Sequence, residues 1–122
     1  MIKISDAEMQ VMGVLWNSSP LTAAEAAEIL EPQTGWHRKT VNTLISRLVK
    51  KQALSFVDDR LGKQYSPLIA REDYGQAAAN QLVSQLFGGR VAPLVAHFAE
   101  EQSLSKDDIN ELKAILKELS DD

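Results

Sequence analysis

Between Trp36 and Lys51 the chain carries five cations (Arg38, Lys39, Arg47, Lys50 and Lys51) and not one carboxylate. Thr40, Thr43 and Ser46 lie among them, with short hydroxyl side chains. Cations pair with phosphate oxygens, and a lysine or arginine can also donate to guanine O6 and N7. A threonine methyl can touch the methyl group of thymine. The chemistry on offer is non-covalent recognition of a polyanion through both its backbone and its base edges. The plainer alternative is a solvated helix face whose lysines and arginines serve solubility alone.

Other chemistries find few residues. The absence of cysteine excludes disulfides, thiolate metal sites and thiol nucleophiles. The two histidines, His37 and His97, show no metal-ligand spacing, so no metal is expected. There is no Gly-x-Ser-x-Gly and no phosphate-cradling glycine loop, and Gly88-Gly89 reads as a helix stop. Asp58-Asp59 and Asp107-Asp108 are adjacent pairs whose side chains diverge, unlike an acid and a base facing across a cleft. No catalytic residue, cofactor or enzymatic activity is expected.

The net charge of −4 seems at odds with a polyanionic partner, but its distribution is uneven. Residues Glu100 to Asp122 hold eight acids against three lysines, a net of −5, which leaves +1 on the other 99 residues. Charges beyond about 8–10 Å are largely screened at physiological salt, so the local cluster sets the field that a phosphate meets. The chain begins without an apolar run, and no stretch approaches the roughly 18 apolar residues of a membrane span. A cytoplasmic protein without membrane insertion is expected.

The elements that must position the basic cluster can be read from caps and periodicity. Ser5-Asp-Ala-Glu8 and Thr22-Ala-Ala-Glu25 match the reciprocal capping box, and Ser105-Lys-Asp-Asp108 is a looser version. The first helix is expected over 6–17, with Met9, Met12, Leu15 and Trp16 inward, and the second over 23–30. Residues 31–35 contain Pro32 and Gly35 and predict a loop. The third helix, 37–52, has Val41, Leu44, Ile45, Leu48 and Val49 on one stripe. Lys39, Thr43, Ser46 and Lys50 fall opposite that stripe, flanked by Trp36, Thr40 and Arg47. Trp16 is a core residue on this reading, and Trp36 is expected to pack at the turn.

Alternation over 54–58 and again over 64–67 predicts two short strands. Asp59-Arg-Leu-Gly-Lys63 forms the turn, with glycine where a positive φ is needed. Three helices followed by such a hairpin give the order of a winged helix-turn-helix. The fold class expected is therefore mainly α with a small β-hairpin: a winged helix-turn-helix over residues 1–70 and a helical region over 71–122. In the second region helices are expected over 73–87 and 106–119, with 90–102 a short helix or turn. Leu82, Leu86, Leu94, Phe98, Ile109, Leu112, Leu116 and Leu119 supply apolar faces too sparse for a core of their own. A second copy of the chain is the commonest partner for such faces, so a homodimer is expected.

In a helix-turn-helix the second helix of the pair enters the major groove of double-stranded DNA. Lys39, Thr40, Thr43 and Arg47 are accordingly assigned to groove contacts, and Arg38, Lys50, Lys51, Arg60 and Lys63 to phosphates. The alternative, motivated by the acidic pI of about 5.2, is a winged-helix interaction module that presents the same face to an acidic protein.

The chain resembles the penicillinase repressor family (the BlaI/MecI/CopY group). The resemblance rests on Ile4-Ser-Asp-Ala-Glu8 with Val11-Met12 and Leu15-Trp16, on Lys39-Thr-Val-Asn-Thr-Leu-Ile-Ser-Arg-Leu-Val-Lys-Lys51, and on Gln64-Tyr-Ser-Pro67. It continues through Leu86-Phe-Gly-Gly89, Leu94-Val-Ala-His-Phe-Ala99 and Ile109-Asn-Glu-Leu-Lys-Ala-Ile-Leu116. The resemblance implies a dimeric winged-helix repressor acting on an inverted-repeat operator, commonly with TACA/TGTA half-sites. In the antibiotic-resistance branch a membrane-sensor metalloprotease ends repression by cleavage at an Asn–Phe bond, which aligns here with His97–Phe98. The copper-responsive branch binds metal through C-terminal cysteines, which this chain lacks.

Overall fold

The computed structural model describes residues 2–120 and divides into two compact units, Met1–Ala77 and Ala78–Asp122. The first contains helices α1 (Asp6–Asn17), α2 (Ala23–Thr34) and α3 (Arg38–Lys50). Strands β1 (Leu21–Thr22), β2 (Leu54–Asp59) and β3 (Gly62–Pro67) accompany them. Both expected capping boxes form. Glu8 N–H donates to Ser5 Oγ at 3.2 Å and Ser5 N–H to Glu8 Oε1 at 2.8 Å. At α2, Glu25 N–H donates to Thr22 Oγ1 at 3.2 Å and Thr22 N–H to Glu25 Oε1 at 2.9 Å.

The end of α2 corrects the expectation of a loop over 31–35. The helix runs through Pro32 to Thr34. Pro32 has no N–H to donate to the carbonyl four residues back, so α2 continues past it with one backbone bond fewer. The actual stop is Gly35 at φ 68°, whose N–H donates to the Glu31 carbonyl at 2.8 Å. Three residues later α3 begins, with His37 as its cap residue.

The core forms where the three helices meet. Val11, Met12 and Leu15 of α1 pack with Ala26 and Leu30 of α2, and with Val41, Leu44, Ile45 and Leu48 of α3. Each fully buried aliphatic side chain contributes roughly 1.5–3 kcal/mol. This burial fixes which way α3 is rotated, because its apolar stripe can point in only one direction. The predicted stripe is thus the inner face, with Val49 half-buried at its edge.

The sheet has the order β1-β3-β2, all antiparallel. β2 and β3 pair from Leu54↔Pro67 to Asp59↔Gly62, so Arg60 and Leu61 form the tip. Gly62 takes φ 92°, as the expected turn requires. β1 was not foreseen. Its two residues, paired Leu21↔Tyr65 and Thr22↔Gln64, are too short to carry an alternating pattern.

Helix α4 (Arg71–Leu86) begins in the first unit. Trp16 Nε1 donates to the Ile69 carbonyl at 2.9 Å, and the Tyr74 ring lies 6.2 Å from the Trp16 ring. Arg71 donates to Asn17 Oδ1 at 3.0 Å. These contacts hold the first turns of α4 in the first unit, which extends to Ala77. In the second unit α4 ends at Gly88 and Gly89, with φ of 60° and 80°. Helices α5 (Ala92–Glu100) and α6 (Lys106–Ser120) follow. The stretch 90–102, open between helix and turn in the sequence, therefore holds a helix. The expected cap of α6 forms, with Asp108 N–H donating to Ser105 Oγ at 3.0 Å. Val83 is the one buried side chain of this unit among the described residues. Leu86 is 71 % exposed and Leu116 62 %.

Candidate nucleic-acid interface

The inward rotation of Val41, Leu44, Ile45 and Leu48 leaves Lys39, Thr40, Asn42, Thr43, Ser46, Arg47 and Lys50 exposed on the other side of α3. No carboxylate belongs to that surface. Thr43 Oγ1 donates to the Lys39 carbonyl at 3.0 Å, which occupies the hydroxyl and leaves the methyl group for an outward apolar contact. Asn42 was not singled out from the sequence. Its polar amide beside a basic stripe is the signal that was passed over, since asparagine can pair bidentately with adenine.

The start of α3 differs from those of α1 and α2. Both earlier helices have a carboxylate in the first turn and a side-chain cap. Helix α3 has neither: its first turn contains no acid, and His37 makes no side-chain cap bond. The positive end of its dipole is therefore unopposed, which favours an approaching anion. Arg47 and Lys50 occupy the last turn, where cations suit the dipole.

Arg38 and Lys63 line one cleft of about 240 Å³ with Thr22, Leu61 and Tyr65, although 25 residues separate them in sequence. The antiparallel pairing of β1 with β3 brings the hairpin beside the start of α2 and so creates this cleft. Lys63 Nζ also sits 4.6 Å above the Phe56 ring, a cation–π contact that fixes its position on the hairpin. Arg60 is exposed at the hairpin tip.

Lys51 departs from the rest of the predicted set. Its ammonium is ion-paired with Glu8 Oε1 and donates to the Lys3 carbonyl at 2.8 Å. Burial pushes the Glu8 carboxyl up. The bonds from Lys51 and from the amide and hydroxyl of Ser5 together outweigh it, holding the group below its ordinary value. Lys51 thus joins the end of α3 to the start of α1.

The penicillinase repressor family matches this chain over residues 4–118. The chain belongs to that family. Its members are repressors, not enzymes. The penicillinase repressor of Bacillus licheniformis is 34% identical over 116 residues, spanning 95% of this chain and 91% of that protein. The methicillin resistance regulatory protein MecI of Staphylococcus aureus is 33% identical over 114 residues, 93% of each chain. Among solved structures, the monomeric form of Bacillus licheniformis BlaI in complex with the blaP half-operator matches with a TM-score of 0.54. It is 37% identical and covers 61% of this chain and 92% of that one. The family match thus reaches across both units, whereas that structural match covers about three-fifths of the chain. Among the described residues, no helix is long and apolar enough to cross a membrane.

Proposed function

We propose that this member of the penicillinase repressor family is a cytoplasmic transcription repressor that binds an inverted-repeat operator as a homodimer. The observation that carries the reading is the outward face of α3: cationic, free of acid, and led by a helix start that no carboxylate opposes. BlaI of Bacillus licheniformis, whose solved structure is a complex with a half-operator, supports it.

In this reading residues 1–70 hold the DNA-binding domain and residues 71–122 the dimerisation domain. Lys39, Thr40, Thr43 and Arg47 face the major groove, while Arg38, Lys50, Arg60 and Lys63 take phosphates. Lys51 leaves the phosphate set because its ammonium already serves Glu8. Leu82, Leu86, Leu94, Phe98, Ile109, Leu112, Leu116 and Leu119 meet the same residues of a second copy. Most of them are exposed, which is the supporting observation.

Release from the operator follows cleavage at His97–Phe98 by a membrane-sensor metalloprotease. Both side chains are exposed on α5, and the helix must unwind locally before a protease can hold the bond extended. Mass spectrometry of the chain from induced cells checks this: fragments ending at His97 are expected, and an intact chain during derepression rejects the step.

The test of the main reading is selection of bound sequences from a random DNA pool at near-physiological salt. A palindromic consensus built on TACA/TGTA half-sites is the expected result. Failure to enrich any sequence, also at low salt, would transfer α3 to an acidic protein partner.

A further inference from the structure

Ala24, Ala27, Glu28 and Glu31 recur along α2 at helical spacing and so share one face of the helix. That face forms one wall of a cleft of about 370 Å³, which Trp36 and Arg38 close from the turn and the start of α3. The volume lies in the range of small-ligand sites. The hollow exists because α2 places alanine at both inner positions. Ala27 is buried and Ala24 half-buried, and neither has a side chain long enough to fill the space. Trp36 is also half-buried: it packs against the core and lends the cleft an aromatic wall.

The charges on the rim are of opposite sign and unmatched. Glu28 and Glu31 are exposed on one side and Arg38 on the other. None of the three belongs to an ion pair among the described residues, although all line the same cleft. A simple anion drawn to Arg38 would meet two carboxylates, and a simple cation drawn to the carboxylates would meet a guanidinium. A molecule with an ammonium, a carboxylate and an apolar group satisfies both sides and the Trp36 wall together. A free α-amino acid with an aliphatic or aromatic side chain has that chemistry.

We propose that this cleft binds a free apolar amino acid, its ammonium on Glu28 and Glu31 and its carboxylate on Arg38, and that binding weakens the hold on the operator. The site is a property of the chain alone, whereas its effect on the operator rests on the proposed repressor function, in which Arg38 takes a phosphate. A guanidinium engaged by the ligand carboxylate is withdrawn from the DNA backbone. The ligand itself has no net charge and brings no replacement. The coupling is reciprocal, so operator DNA must weaken amino-acid binding by the same factor.

The test titrates the full chain with each common protein amino acid, read by tryptophan fluorescence and ligand-observed NMR. At least one apolar member is expected to bind with a Kd of about 1 mM or tighter. Its analogues without the carboxylate or without the ammonium (for phenylalanine, phenethylamine and 3-phenylpropanoate) should not bind. Glu28→Gln combined with Glu31→Gln should abolish amino-acid binding without weakening the operator complex, and circular dichroism confirms that this variant is folded. A saturating amino acid should lower operator affinity about tenfold and the salt slope by about one per bound copy. Binding by no amino acid, equal binding of an analogue with one charge, or binding that survives the double substitution would each overturn the site. Binding that leaves operator affinity unchanged would overturn the coupling. A chain that takes the amino acid but no operator would reject the repressor reading and leave the site standing.

Discussion

Lys51, the residue that closes α3, is ion-paired with Glu8 in the first turn of α1, although 43 residues separate them. Glu8 also completes the cap of α1 through Ser5. One carboxylate therefore starts the first helix and anchors the end of the helix that presents the basic face. The pair is asymmetric in exposure: the Glu8 side chain is 1 % exposed and the Lys51 side chain 37 %.

Lys51→Met is expected to destabilise the protein by about 1–2 kcal/mol, because the buried Glu8 carboxylate loses its cation and keeps only its bonds from Ser5. Chemical denaturation checks the loss. The salt dependence of operator binding by the folded fraction should stay unchanged, whereas a slope lowered by about one would mark Lys51 as a phosphate ligand instead.

The same pair gives a pH dependence with a definite sign. The folded state holds the Glu8 carboxyl below its ordinary value, so its contribution is present above the unfolded pKa. That contribution is lost as pH falls through the folded pKa. Stability of the unmodified chain should therefore drop in the acid range below ordinary carboxylate titration, and Glu8→Gln should flatten that part of the profile. Thermal unfolding across pH 3–6, roughly the range bracketing ordinary carboxylates, measures it.

Arg47→Ala is expected to weaken operator binding by about 1–3 kcal/mol and to relax selectivity at one position of the half-site. Lys50→Ala should weaken all sequences alike and reduce the salt slope by about one. Titrations against the selected operator and a scrambled duplex at several salt concentrations distinguish the two.

Gly35→Ala should cost about 1–2 kcal/mol, since the αL geometry at φ 68° is the stop that lets α3 turn away from α2. No neighbouring atom lies within 4 Å of an added Cβ, so the cost is conformational rather than steric. Denaturation midpoints measure it.

On the proposed dimeric reading, Leu116→Asp is expected to give monomers and to reduce operator affinity steeply, since two half-sites would then be engaged independently. Sedimentation and operator titration, performed on the same sample, should change together. A variant that remains dimeric would remove Leu116 from the interface.

Much of the fold is determined by local features of the sequence. Ser5/Glu8 and Thr22/Glu25 specify two helix starts because a capping box is closed within four residues. Val41, Leu44, Ile45 and Leu48 specify the inner face of α3 because helical periodicity turns spacing directly into direction. The acid-free character of the opposite face follows from the same spacing, so most of the candidate site was legible before any coordinates. Pro32 misled because a proline penalises a helix without forbidding it: α2 gives up one backbone bond there, and Gly35 makes the stop.

Tertiary structure decided what depends on partners distant in the chain. Lys51 has the same local spacing signal as Lys50, and only the approach of α1 reveals that its charge is consumed by Glu8. β1 has no periodicity of its own and exists because Tyr65 and Gln64 offer an edge to pair with. The cleft shared by Arg38 and Lys63 arises from that same pairing. Local patterns thus fix faces, whereas which cations on those faces stay free depends on long-range contacts that no short window contains.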